Sequence, residues 1–131
     1  MSVPPLDVEK AWISRKLEHG RQLFRAQFSP DGRWLVSGGN DNDMHIYNVS
    51  NKSWVFEIDA GSDVYGISFH SSGAYFVIAR GGSSSTRIYQ TGTWNQVYSF
   101  GSFGSSNNNR GLRAVEWSED GSAIAFAQRR G

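Results

Sequence analysis

The sequence predicts an all-β protein built from a four-stranded unit that repeats along the chain. Two observations carry that reading. Three segments, LFRAQFSPDGRWLVSGG, VYGISFHSSGAYFVIAR and LRAVEWSEDGSAIAFAQ, share one order of apolar run, glycine-containing turn and second apolar run. Each first run ends in a large aromatic, Phe28, Phe69 or Trp117, and four residues later comes Gly32, Gly73 or Gly121, where a tight hairpin needs positive φ. The second observation is the period: Phe28 to Phe69 is 41 residues and Phe69 to Trp117 is 48, close to forty with one insertion, GSFGSSNNNRG at 101–111. A further marker, Trp12, Trp54 and Trp94, starts the runs WISRKL, WVFEI and WNQVYSF at spacings of 42 and 40.

Taken in order, each repeat reads as strands a, b, c and d. The glycine hairpin joins a to b. A short strand with an Ile-Tyr pair follows, MHIYNV in one repeat and TRIYQ in the next, and the Trp-led run is strand d. One full unit runs from Leu23 to Ile58 and a second from Val64 to Phe100. Leu112 to Trp117 and Ser122 to Gln128 supply strands a and b of another unit. PLDVEKAWISRKL aligns with IYNVSNKSWVFEI, so the head of the chain reads as strands c and d, with Pro4 and Pro5 suited only to an edge. The expected division is 1–20 (c–d), 21–60, 61–111 with a long d–a loop, and 112–131 (a–b).

FSPDGRWLVSGG followed by HIYNV closely resembles the WD-repeat β-propeller family, whose blades are four antiparallel strands in about 40–45 residues. The resemblance covers nearly the whole chain and implies two complete blades plus one split between the N- and C-termini. The family's Trp-Asp dipeptide reads Tyr47-Asn48 and Tyr89-Gln90 here, and its Gly-His is reversed as His19-Gly20. Asp41 keeps the family's b–c turn acid, and Ser83 replaces it in the next blade. These blades are therefore expected to lack the family's His/Asp network. The resemblance further implies that partners meet the face lined by d–a and b–c loops. By register that face carries Phe24, Tyr65 and Arg113 at the start of strand a, with Gln22, Asp63 and Gly111 two residues earlier and Asn40 on a b–c turn.

Propellers need roughly four to eight blades to close. Three blade equivalents therefore predict assembly of the chain with itself, head to tail through the split blade. Two chains give six blades, the favoured particle, and three give nine. The residues expected at that joint are Leu6, Trp12, Ile13 and Leu17 in the head and Leu112, Val115, Trp117, Ile124 and Phe126 in the tail. Two alternatives stand beside it: a segment of a longer WD-repeat protein, and a propeller that binds a small molecule or sugar.

Enzyme, metal and nucleic-acid roles find little in the sequence. The 13 basic and 12 acidic residues are scattered and give a formal charge of +1, with no basic block for nucleic acid. Cysteine is absent, which removes disulfides and thiolate metal sites. His19, His45 and His70 are expected on a d–a loop, strand c and an a–b turn, levels that do not converge on a metal. No nucleophile-elbow or Walker-type motif occurs, and RGGSSST at 80–86 reads as a Gly-rich b–c turn without the phosphate-binding lysine. Glu119 with Asp120 and Asp41 with Asp43 read as acids satisfying turns. NVS at 48–50 and NKS at 51–53 fall in a c–d turn. MSVPPLDVEK lacks the basic start and apolar core of a secretory signal, and no apolar run reaches the roughly 18 residues of a membrane span. The expectation is a cytoplasmic, non-enzymatic protein-interaction scaffold with no cofactor and no membrane or nucleic-acid partner.

Overall fold

The computed structural model describes residues 22–81, 85–102 and 112–128. The expected c–d head, with Leu6, Trp12, Ile13, Leu17 and His19, lies outside the described residues, as do Ser83 and most of the insertion at 101–111. The ten described strands are β1 (Leu23–Phe28), β2 (Trp34–Gly39), β3 (Asp43–Asn48), β4 (Ser53–Asp59), β5 (Val64–Phe69), β6 (Tyr75–Arg80), β7 (Ser85–Gln90), β8 (Gln96–Ser102), β9 (Leu112–Trp117) and β10 (Ile124–Gln128).

They form two antiparallel meanders, β1-β2-β3-β4 and β5-β6-β7-β8, and a two-stranded sheet of β9 and β10. These are two blades and the first half of another, as the repeat predicts. The a–b hairpins are built alike. Ser29, His70 and Ser118 each take the backbone N–H of the residue three further on, at Gly32, Gly73 and Gly121. Those glycines have φ of 74°, 77° and 75°, where a side chain would be strained. The turn side chains close the same motif. Asp31 accepts from Ser29 Oγ and Arg33 N, and Asp120 accepts from Ser118 Oγ, Ser122 N and Ser122 Oγ. Because Ser122 is held in the turn this way, the second strand of the hairpin begins at Ile124 rather than at Ser122.

Successive sheets pack through their first strands, β1 against β5 and β5 against β9, which places strand a innermost and strand d outermost. Alternation along β6 serves both neighbours. Phe76 and Ile78 join Val36, Met44, Ile46 and Val64 in the seam with the preceding blade. Val77 and Ala79 join Ile88, Leu112 and Val115 in the seam with β9 and β10. The a–b turns also meet: His70 lies edge-on to Trp117, 4.9 Å between centroids, and its imidazole fills the place where Gly121 lacks a side chain. Ser68 Oγ accepts a 2.9 Å bond from Trp117 N across the same seam.

The tryptophan period does not mark equivalent positions. Trp54 lies within β4 opposite Tyr47, and the residue opposite Tyr89 is Gln96. Trp94 stands two residues earlier, with φ of 61°, and its buried indole packs edge-to-face on Trp34 at 5.2 Å. Trp54 is 43% exposed on the outer strand. The shared spacing therefore hides a core residue and a surface residue.

Candidate binding face

Strand a carries a register break near its start in all three units. Leu23 pairs with Gly39 and Arg25 with Gly38, so Phe24 has no cross-strand partner. Val64 pairs with Arg80 and Gly66 with Ala79, which leaves Tyr65 out, and Leu112 and Ala114 pair with Gln128 and Ala127, which leaves Arg113 out. Each is the extra residue of a β-bulge, a device that bends a strand and re-aims one side chain. Below the bulge the ladder resumes, so the side chains that follow return to the packed faces.

The three re-aimed side chains meet. The rings of Phe24 and Tyr65 stack with centroids 4.8 Å apart and planes 9° from parallel. The Arg113 guanidinium lies over the Tyr65 ring, 3.9 Å from its centroid. One continuous strip of aromatic, aromatic and cation thus crosses three blades, each member partly exposed. The Tyr65 hydroxyl faces Asp63 Oδ2 at 3.5 Å, a weak contact at most. Beneath the ring, Gly81 donates its N–H to the Asp63 carbonyl at 2.9 Å, and a Cβ on Gly81 would stand 2.8 Å from Tyr65 Cε2. Gly81 is therefore the floor that lets the ring lie flat.

Gln22 and Asn40 occupy the equivalent corner of the first blade, where Asn40 N donates to the Gln22 carbonyl at 3.1 Å. Gln22 is exposed, and Asn40 and Asp63 are half-buried. Asn40 Oδ1 and Arg113 Nη1 are buried atoms with no hydrogen-bond partner among the described residues. One is an acceptor and the other a donor, so the strip is flanked by polar capacity that a bound group can use. Six of the seven residues expected on the binding face sit at the end of the sheets where the d–a and b–c turns lie, and three of them touch in sequence; Gly111 lies outside the described residues. Below the strip, Arg25, Gln27, Gly66, Ala114 and Glu116 from β1, β5 and β9 line a groove of about 290 Å³ along the inner strands.

The tail residues expected at the joint between molecules sit on the inward seam. Leu112 and Val115 are buried against β6 and β7, and Trp117, Ile124 and Phe126 pack on the same cluster. What β10 leaves without a partner among the described residues is its backbone edge.

One polar cluster was missed by sequence reasoning. His45 Nε2 is 3.0 Å from Asp41 Oδ2 and Nδ1 is 3.4 Å from Glu57 Oε1, so an imidazole on strand c lies between two carboxylates. Only part of the signal is in the sequence, where Asp41 precedes His45 by four residues; Glu57 joins as the cross-strand partner of His45. Burial, reinforced by the carboxylates of Asp41, Glu57 and Asp59, pushes the neighbouring Asp43 above the usual carboxylate range. This cluster lines an open cavity of about 540 Å³ beside the exposed Trp54 and Phe56 on the outer face of the first blade. His70 lies elsewhere, bonded through Nδ1 to Ser72. Among the described residues no group of three His, Asp or Glu could hold a metal.

Four-stranded meanders stacked strand a on strand a, with the same bulge at the same end of each, define a β-propeller of the WD-repeat class. Residues 2–72 match the family described as the anaphase-promoting complex subunit 4 WD40 domain, and the chain belongs to that WD40 family. It is also similar to the ribosome biogenesis protein BOP1 homolog of Dictyostelium discoideum, with 28% identity over 68 residues. That match takes 52% of this chain and 8% of the relative, so the chain spans a small part of that protein's length. Domains of this family are usually non-enzymatic scaffolds for protein interaction.

Proposed function

We propose that the chain is a non-enzymatic interaction scaffold that engages a partner protein through the Phe24–Tyr65–Arg113 strip. The observation that carries this reading is the repeated bulge: three independent strands each give up a ladder position to present a side chain at one end of the sheets. Tyr and Arg are enriched where binding energy concentrates, and a ring already held by two neighbours loses little entropy on contact. The side-chain clusters in the seams below are mostly apolar, which fits a rigid support better than a reaction centre. Affinity capture from cells with the wild-type chain and with Tyr65→Ser/Arg113→Glu tests it, with Tyr98→Ser on the outer strand as control. A specific set of proteins should be lost with the strip variant and kept with the control. Equal capture by all three refutes the strip as the contact.

The ring is completed, in the same proposal, when the head of one copy pairs with β10 of another. The c–d pattern of 1–20 and the edge of β10 that no described strand pairs support that pairing, since an edge strand is a template for association. Sedimentation equilibrium should give twice the 14.6 kDa chain mass for a six-blade particle. Removing residues 1–17 should yield monomer or aggregate. An unchanged particle after that deletion refutes intermolecular closure and leaves the strip reading intact.

A further inference from the structure

Two guanidinium groups converge beside the d–a turn that joins the first and second blades, next to Gly81 and Asp63. Arg80, the last residue of β6, is 6% exposed, and its Nε and Nη1 are buried with no hydrogen-bond partner among the described residues. Arg87 reaches the same place from β7, where Nη1 donates to the Ala60 carbonyl and the Tyr89 hydroxyl, each at 3.3 Å. A side chain added at Gly61 would meet Arg87 Nη2 at 3.6 Å and Arg80 Nη2 at 3.7 Å, so both cations border one point beside an exposed glycine.

No carboxylate among the described residues forms an ion pair with either group. Tyr89 and Asp59 favour the Arg80 cation, but Asp59 Oδ1 already takes the Gly61 N–H at 2.7 Å. Burial and the neighbouring Arg87 charge both work against the Arg80 cation. A buried guanidinium with unused donors beside a second cation is costly unless an anion completes it. Arginine presents a planar fork of donors matched to tetrahedral oxyanions, and two forks suit a group carrying close to two negative charges.

We infer that Arg80 and Arg87 form an anion site that takes a phosphate group, free or carried on a phosphorylated side chain, beside Gly61. The site lies on the d–a turn between blades, so an occupant ties the first blade to the second through Arg87 and the Ala60–Gly61 backbone.

The test uses the 131-residue chain. Its thermal unfolding is followed by tryptophan fluorescence while sodium phosphate is raised at ionic strength held constant with sodium chloride. The midpoint should rise saturably with phosphate, and Arg87→Gln should weaken the apparent affinity at least tenfold with an unchanged circular dichroism spectrum. Arg87→Lys should recover part of it. Arg80→Lys, which keeps the charge but loses the fork, gives an independent variant and should also weaken binding. A phosphoserine peptide separates the sources: tighter binding than inorganic phosphate points to a phosphorylated protein, and weaker binding to the free ion. The inference is overturned by no phosphate-dependent shift, by an equal shift in Arg87→Gln, or by acetate acting as strongly as phosphate.

Discussion

Adding one carbon at Gly81 tests whether the strip is held in place before any partner arrives. The new Cβ would stand 2.8 Å from Tyr65 Cε2, inside contact distance, while Ser62 Oγ and Asp63 Cβ lie at an ordinary 3.5 and 3.6 Å. Gly81 is not one of the positive-φ residues, so alanine suits its backbone and alone would stabilise by about 0.4–1 kcal/mol through the unfolded chain. The clash opposes this by about 1–3 kcal/mol, the usual cost of overpacking. Tyr65 cannot escape cheaply, because swinging away forfeits the Phe24 stack and the Arg113 contact, each worth about 0.5–1.5 kcal/mol. The net expectation for Gly81→Ala is a loss of about 0.5–2 kcal/mol. With Tyr65→Leu in place Cε2 is gone, and the same substitution should be neutral or stabilising. The coupling between the two sites should then be about 1–3 kcal/mol. Urea unfolding of the wild type, both single variants and the double variant measures it. Coupling below about 0.5 kcal/mol would mean that the ring yields freely, and the idea of a preorganised strip would fail.

Three other outcomes are expected. Trp94→Ala should cost about 3–5 kcal/mol, whereas Trp54→Ala on the exposed outer strand should cost far less; comparable losses in denaturant unfolding would contradict the difference in their packing. Asp120 has its pKa lowered to about 2 from 3.8 by Ser118 and Ser122, so its contribution is present above pH 3.8 and is lost as pH falls through about 2. Asp120→Asn should therefore lower the midpoint at neutral pH and match the wild type near pH 2, and a gap independent of pH would rule this out. Asp43 is raised instead, so its contribution is present below 3.8 and is lost as pH rises through its higher folded value. Asp43→Asn should stabilise at pH 7 but not at pH 3, and a loss at pH 7 in thermal melts would count against it.

The strands were legible because short apolar runs and the glycine hairpins between them are local signals. β1, β5 and β9 begin and end where the apolar runs do, and β3 and β7 contain the Ile-Tyr pairs. Packing was less legible. Trp54 and Trp94 look alike in sequence, but two residues of c–d turn with positive φ at Trp94 drop one indole into the core and leave the other outside. The binding-face residues came from register with a known family; the bulge that makes them project has no sequence signature at Phe24, Tyr65 or Arg113, since a bulge is a property of two paired strands. The Asp41–His45–Glu57 cluster was missed for the same reason, because its third member comes from the neighbouring strand.

The bulge also explains why one position can hold Phe, Tyr and Arg without loss of the fold. A residue that sits opposite a partner must suit that partner and the pleat, but an extra residue in a bulge has no cross-strand partner to suit and answers to the floor beneath it and to its neighbours on adjacent blades. What must be kept is the spacing of those blades, and small residues set it just inside the strip. A Cβ on Gly38 would stand 2.7 Å from Val64 Cβ, and one on Gly66 would meet Val115 N and Ala114 Cα at 3.2 and 3.3 Å. Gly38 lets β2 approach β5, and Gly66 lets β5 approach β9, in the same seams where the rings stack at 4.8 Å and the guanidinium contact is 3.9 Å. The scaffold and the contact surface therefore place separate demands on the sequence: glycines and alternating apolar residues fix the distance between blades, and the bulge leaves the chemistry displayed there free to vary.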